Sequence, residues 1–224
     1  MKTEKTFVGA VVLDSLPFSL SGTATQAKAL KSTGVDAIVG YLGAINSARL
    51  SYILDAGMAF MPVTYAADAF GGDTIVKRCN DLGLSKNVTV WQDLEGIHVF
   101  QMEPLALRSR LNVASLKVQQ SGFMPGVYIG APQPLTSEEL FSLTAVRYWK
   151  GIGRCVDRFG KLAEPTCGWS MVQLYHGEKN AMGMTWRDLD PTQQGRVWKD
   201  TGVFVDPNMI GADYQGRVPN WVVA

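Results

Sequence analysis

Short runs rich in β-branched and aromatic residues recur along the chain, at 6–14, 36–42, 58–65, 87–93, 126–130, 146–151, 169–175 and 203–206. Between them lie stretches of helical character, at 25–32, 47–56, 73–82, 105–120 and 137–143. Strands that alternate with helices over short connections predict a parallel sheet. Eight such runs, with no linker, low-complexity segment or charge block between them, predict one domain over residues 1–224. The expected architecture is an α/β fold, a (β/α)8 barrel of the TIM type, because eight strands in one undivided domain favour closure over an open sheet.

Local signals mark several boundaries. Gly34, Gly57, Gly83 and Gly122 each follow a helical stretch and precede a strand, where a left-handed cap is expected. Ser137, with Glu138 and Glu139 behind it, reads as a helix start. Pro62 interrupts the third run and removes a ladder donor, so that strand is expected to be short or bulged. The stretch 177–201 is rich in Met, Trp and Gly without clean amphipathic period. It predicts an irregular βα unit near the C-terminus: a long loop with one helical turn around 192–199.

Composition narrows the function classes. The 224 residues are 46% hydrophobic, enough for a sizeable core. With 21 basic and 20 acidic residues, a net charge of +1 and no run of either sign, nothing marks a nucleic-acid or anionic-membrane surface. The apolar stretch 8–13 is shorter than a signal-peptide core and runs directly into Asp14 and Pro17. No window approaches the roughly 20 apolar residues a membrane span needs. Synthesis in the cytoplasm without a signal peptide is therefore expected, with any action on a cell wall following release. Cys79, Cys155 and Cys167 are an odd, widely spaced trio, expected as buried free thiols, with a Cys155–Cys167 disulfide as the alternative. Nothing in the sequence sets the oligomeric state.

In a (β/α) barrel the functional side chains sit at the carboxyl ends of the strands, and here three strands finish on carboxylates. The first ends in Asp14, the fourth in Gln92-Asp93-Leu94-Glu95, and the eighth in Asp206. Period-two alternation puts Val8, Ala10, Val12 and Asp14 on one face, and Thr89, Trp91, Asp93 and Glu95 on another. Asp93 and Glu95 then point the same way, roughly 7 Å apart along the strand. Two close, partly dry carboxyls cannot both ionise easily, so one keeps its proton to higher pH and can act as a general acid. Such a pair suits glycosidic cleavage, where one acid protonates the leaving oxygen and another stabilises positive charge at the sugar carbon. Tyr41, Tyr65, Tyr128, Gln173 and Tyr175 end other strands and are candidate substrate-binding residues, though aromatic residues, Trp149 among them, are also ordinary strand formers.

Other chemistries lack their residues. His98 and His176 form no ligand set with each other or with the cysteines, so no metal is expected. Gly151-Ile-Gly153 lacks the third glycine of a dinucleotide loop, and there is no phosphate loop or nucleophile elbow, so no cofactor is expected.

The segment Val90-Trp-Gln-Asp-Leu-Glu-Gly96 resembles the fourth-strand Asp-x-Glu element of family 25 glycoside hydrolases, lysozymes that cut bacterial peptidoglycan. Leu13-Asp14 resembles their first-strand Asp, and Val203-Phe-Val-Asp-Pro-Asn208 their last-strand Val-Asp-x-Asn element. Val172-Gln-Leu-Tyr175 is a weaker echo of their Trp-Gln-Tyr strand. The stretches 39–43 and 53–65 look closer to the related glycoside-hydrolase-like barrel domains of bacterial surface proteins and phage lysins. The resemblance implies Glu95 as general acid, Asp93 as the residue that orients the acetamido group or stabilises the charged sugar centre, and Asp14 and Asp206 as residues that shape the site. Trp91-Gln92 departs from the aliphatic residues usual before that motif, and 177–201 departs as well. The expected function is cleavage of a cell-wall glycan containing N-acetyl sugars, as in a phage-type lysin. The alternatives are a non-catalytic glycan-binding or virion structural module on the same barrel, and an unrelated barrel enzyme whose strand-end acids hold a divalent cation.

Overall fold

The computed structural model describes residues 1–130, 133–151, 155–174 and 201–224. Tyr175, His176 and the 177–201 stretch up to Asp200, with its expected turn at 192–199, lie outside them, as does Gly153. Ten strands occur among the described residues: β1 (Lys2–Lys5), β2 (Val11–Asp14), β3 (Ala37–Tyr41), β4 (Ala59–Val63), β5 (Thr89–Leu94), β6 (Met124–Ile129), β7 (Arg147–Lys150), β8 (Met171–Gln173), β9 (Asp206–Ile210) and β10 (Asn220–Val223). β2 to β9 form a closed ring, sealed where Val63 on β4 pairs with Trp91 on β5. The fold is an α/β barrel of the TIM type.

One strand departs from the expected pattern. β2 to β8 run parallel where they pair, but β9 runs antiparallel to both β2 and β8. The eighth run was expected to end at Asp206; instead Asp206 opens β9, and the residues before it lie outside the strand. β1 and β10, also unforeseen, pair antiparallel and attach to β4 through Val222↔Phe60. Trp221 of β10 packs into the barrel interior from that end, its ring edge-on to Phe7 with centroids 5.6 Å apart.

Side-chain caps at Ser15, Thr23, Asn46 and Thr136 start four of the helices among the described residues. The helices are α1 (Leu16–Ser21), α2 (Ala24–Ser32), α3 (Ser47–Asp55), α4 (Gly72–Asp81), α5 (Ile97–Phe100), α6 (Pro104–Gln120) and α7 (Ser137–Phe141). Thr23 with Gln26 and Thr136 with Glu139 form reciprocal capping boxes, so α7 is capped by Thr136 and begins at Ser137. α1 and α5 are one-turn elements too short to announce themselves by period. The four cap glycines all take positive φ, from 68° to 91°. All three cysteines are free thiols, Cys79 and Cys155 buried and Cys167 half-buried. No helix among the described residues is long and apolar enough to cross a membrane.

The strand at Pro62 is neither short nor bulged: the β3–β4 register runs unbroken through Gly40↔Pro62. Ala59 donates its N–H to Asp36 on the β3 side, whereas Thr64 donates to Trp91 on the β5 side. Pro62 is in phase with Thr64, so its missing donor faces the β4–β5 seam, where only one residue pair is made.

The core is divided by the sheet. Leu13, Ile38, Phe60 and Val90 point outward against the helices, as do Leu94, Val127 and Ile129 further round. Ala10, Val12, Val39, Met61, Trp91, Trp149, Met171 and Ile210 fill the barrel itself. Trp91 has room there because its register neighbour is Gly126: a Cβ at Gly126 would lie 2.5 Å from the Trp91 ring. Gln92 points the other way and is fully buried, its amide donating to the Ala69 carbonyl at 2.6 Å and accepting from Ser115 of α6. The Trp91-Gln92 pair thus fills the barrel on one face and joins it to α6 on the other.

Candidate active site

The parallel strands deliver their last inward-facing residues to one mouth. β2 brings Asp14, β3 brings Tyr41 and β5 brings Asp93, each continuing the inward face occupied below by Val12, Val39 and Trp91. β9 reaches the same mouth from the opposite direction, and Asp206 is the register partner of Asp14. The four candidate acids converge. Asp14, Asp93, Glu95 and Asp206 all act electrostatically on the Tyr41 hydroxyl. Asp14, Asp93 and Glu95 act likewise on Tyr128, the register partner of Asp93 on β6.

The acids differ in setting. Asp93 is 5% exposed, and its Oδ1 has no hydrogen-bond partner among the described residues. Burial, followed by the charges of Glu95 and Asp14, pushes its carboxyl up to about 8. Its backbone is anchored, the N–H donating to Thr64 Oγ1 at 3.1 Å. Glu95 is the first residue past the end of β5 and is exposed as a residue. Its carboxyl end leans on Gly130, whose missing Cβ leaves the space it occupies: a Cβ there would fall 2.9 Å from Oε2 and collide with the Glu95 Cβ. Burial raises the Glu95 carboxyl, Tyr128 as a hydrogen-bond donor lowers it, and Asp206 raises it again, for a net upward shift. Among the described residues no ion pair holds Glu95. Arg147 begins β7 at the far end of that strand and donates instead to the Val218 and Val146 carbonyls.

The candidate binding residues fall into two groups. Tyr41 and Tyr65 lie together, ring centroids 5.2 Å apart, with Gly43 leaving space for the Tyr65 ring. Tyr128 donates its hydroxyl to Gln173 Oε1 at 2.9 Å and packs edge-on against Trp149, centroids 4.6 Å apart. Trp149 itself is buried in the barrel. Gly151 keeps the Tyr128 hydroxyl free of crowding, since a Cβ there would sit 2.8 Å from it. Among the described residues, no group of three or more His, Cys, Asp and Glu is arranged to hold a metal ion.

One residue of this site was not foreseen. Asn208, fully buried on β9, donates Nδ2 to Asp14 Oδ2 at 3.3 Å and accepts from Trp149 Nε1 at 2.8 Å. The available signals were its place in the Val-Asp-x-Asn element and its spacing of two from Asp206, which puts both on one face of a strand.

These features define a barrel protein with an acid-lined, aromatic-flanked mouth. No family model matches the chain, and no curated protein matches it. It is similar in fold to the crystal structure of an uncharacterized B. stearothermophilus protein, at 13% identity and a TM-score of 0.60, over 91% of this chain and 96% of that one. Partial likeness extends to a D-psicose 3-epimerase (10% identity, TM-score 0.44, 65% of this chain and 63% of that one). It extends also to an aldo/keto reductase from Klebsiella pneumoniae (11%, TM-score 0.40, 62% and 53%).

Proposed function

We propose that this protein is a glycoside hydrolase acting on a bacterial cell-wall glycan that contains N-acetyl sugars, a lysozyme-like peptidoglycan hydrolase of the phage-lysin type. The observation that carries this reading is the unequal pair at the end of β5: a deeply enclosed Asp93 and a rim-exposed Glu95, both shifted toward the protonated form. Glu95 is the general acid, because it reaches the rim and burial shifts its carboxyl toward the protonated form that can protonate the leaving oxygen. Burial favours the neutral form of Asp93, which serves as a donor that orients the acetamido group. Asp14 and Asp206 hold negative charge near the sugar carbon as it becomes positive, and the Tyr41–Tyr65 pair offers a ring surface to a sugar face.

The test is release of reducing ends from purified peptidoglycan. The wild type is expected to release them, and Glu95→Gln to lose about 10²–10⁴-fold. Equal activity of the two removes Glu95 from the role, and inertness of both on every wall preparation defeats the reading. Binding to wall glycan with no ends released by the wild type identifies the glycan-binding or virion module instead.

A further inference from the structure

Asn208 is a fully buried amide directly above the aliphatic and aromatic side chains that fill the barrel. It faces the barrel interior one step below the acids, level with Val12 on β2 and Gln173 on β8. Its three polar contacts fix which way the amide points. Oδ1 accepts from the indole of Trp149, which can only donate; Nδ2 donates to the Asp206 carbonyl at 2.8 Å and to Asp14 Oδ2 at 3.3 Å. A buried amide stripped of partners is costly, so an asparagine is kept here only while these contacts are made. They tie β7, β9 and β2 together across the barrel, and the one that reaches an ionisable group ends on Asp14.

The two enclosed acids therefore differ in kind. Asp14 receives a side-chain N–H, and a donor to a carboxyl favours its charged form. Asp93 Oδ1 receives none among the described residues, which favours the neutral form. We propose that Asn208 is a positioning residue: it fixes the direction of the Asp14 carboxyl and favours its charged form, so that, of the two enclosed aspartates, Asp93 is the one that keeps a proton. Among the described residues, the titratable groups around Asp14 include Asp206 from β9, Tyr41 from β3, Asp93 from β5 and Tyr128 from β6, with Glu95 at the same mouth. The inference rests on the glycosidase reading only for its catalytic meaning, since the charge distribution exists without substrate.

The experiment is a carboxyl-carbon NMR titration of the aspartates in the full chain, for wild type, Asn208→Leu and Trp149→Phe. Asn208→Leu removes the donor at similar volume, and Trp149→Phe removes the indole N–H that aims the amide. Asn208→Leu is expected to raise the Asp14 midpoint by about one unit, about tenfold in protonation at fixed pH, and to lower that of Asp93. Trp149→Phe should move Asp14 the same way by less. An unchanged Asp14 midpoint in folded Asn208→Leu overturns the proposal. If that variant does not fold, Trp149→Phe decides: an upward shift supports the proposal and an unchanged midpoint overturns it. The titration needs no substrate, so a protein that turns over no glycan still answers it. Turnover with an unmoved Asp14 would defeat the role of Asn208 alone.

Discussion

Asp14 and Asp206 are register partners across the seam between β2 and β9, although one closes its strand and the other opens it. In an all-parallel barrel the first residue of a strand lies at the bottom, away from the active face. Reversal of β9 brings Asp206 to the mouth and lets the same strand feed Asn208 beneath it. The acid-lined face is a product of that reversal as much as of the β5 pair.

Asp93 gives the protein a distinctive pH dependence. Its folded carboxyl sits near 8, above the ordinary value of 3.8 that it has in the unfolded chain. Between these values the folded form holds a proton that the unfolded form has lost, so stability falls as pH rises from about 4 to about 8 and then levels. Asp93→Asn removes the titrating group while keeping its shape. Thermal unfolding should show the variant gaining on wild type toward alkaline pH, by at least about 1 kcal/mol or about 2–4 °C at pH 8. Parallel curves across that range would show that Asp93 does not carry the shift.

Tyr128 tunes Glu95. Its hydroxyl has one proton and two claimants, Gln173 and Glu95, and its donation to Glu95 lowers that carboxyl. Tyr128→Phe removes the donor, so Glu95 should keep its proton to higher pH. The alkaline limb of kcat/KM on peptidoglycan should move upward, with the acid limb less affected. A downward move contradicts the assignment.

Gly130 makes room for the general acid. An alanine there would collide with the Glu95 Cβ and crowd Oε2. Gly130→Ala is expected to lose at least about tenfold in turnover, since an ångström of misplacement is costly in catalysis. Near-wild-type turnover would show that Glu95 can shift without consequence.

Gly126 is the counterpart deep in the barrel, where Gly126→Ala meets the Trp91 ring at 2.5 Å. Trp91 is fully buried between β4 and β6, with the Trp149 ring edge-on to it at 5.7 Å between centroids. Overpacking of this kind costs about 1–3 kcal/mol. Chemical denaturation should give a lower midpoint with an unchanged slope.

Much of the frame was legible in the chain because alternation is local. Val12 and Asp14, or Trp91 and Asp93, share an inward face whatever the rest of the molecule does, and the glycines after α2, α3, α4 and α6 stop those helices through their own backbone freedom. The one-turn helix α1 was not legible. Ser15 caps it by accepting from Phe18, but six residues carry too little period to be recognised. Pro62 misled because a missing donor matters only if a neighbour requires it, and which neighbour faces it is a property of the sheet.

By itself, then, the sequence determined the barrel class, the acids at the ends of β2 and β5 and the inward aim of Asp14 and Asp93, since these follow from residue spacing. Only the tertiary structure decided the direction of β9, because a period of two reads the same along a strand in either sense and pairing alone orients it. It likewise decided the difference between Asp93 and Glu95, which are alike in spacing but not in enclosure. The role of Asn208 was set there too: a buried amide has meaning only through the partners that the closed barrel brings to it, Trp149 from β7 and Asp14 from β2.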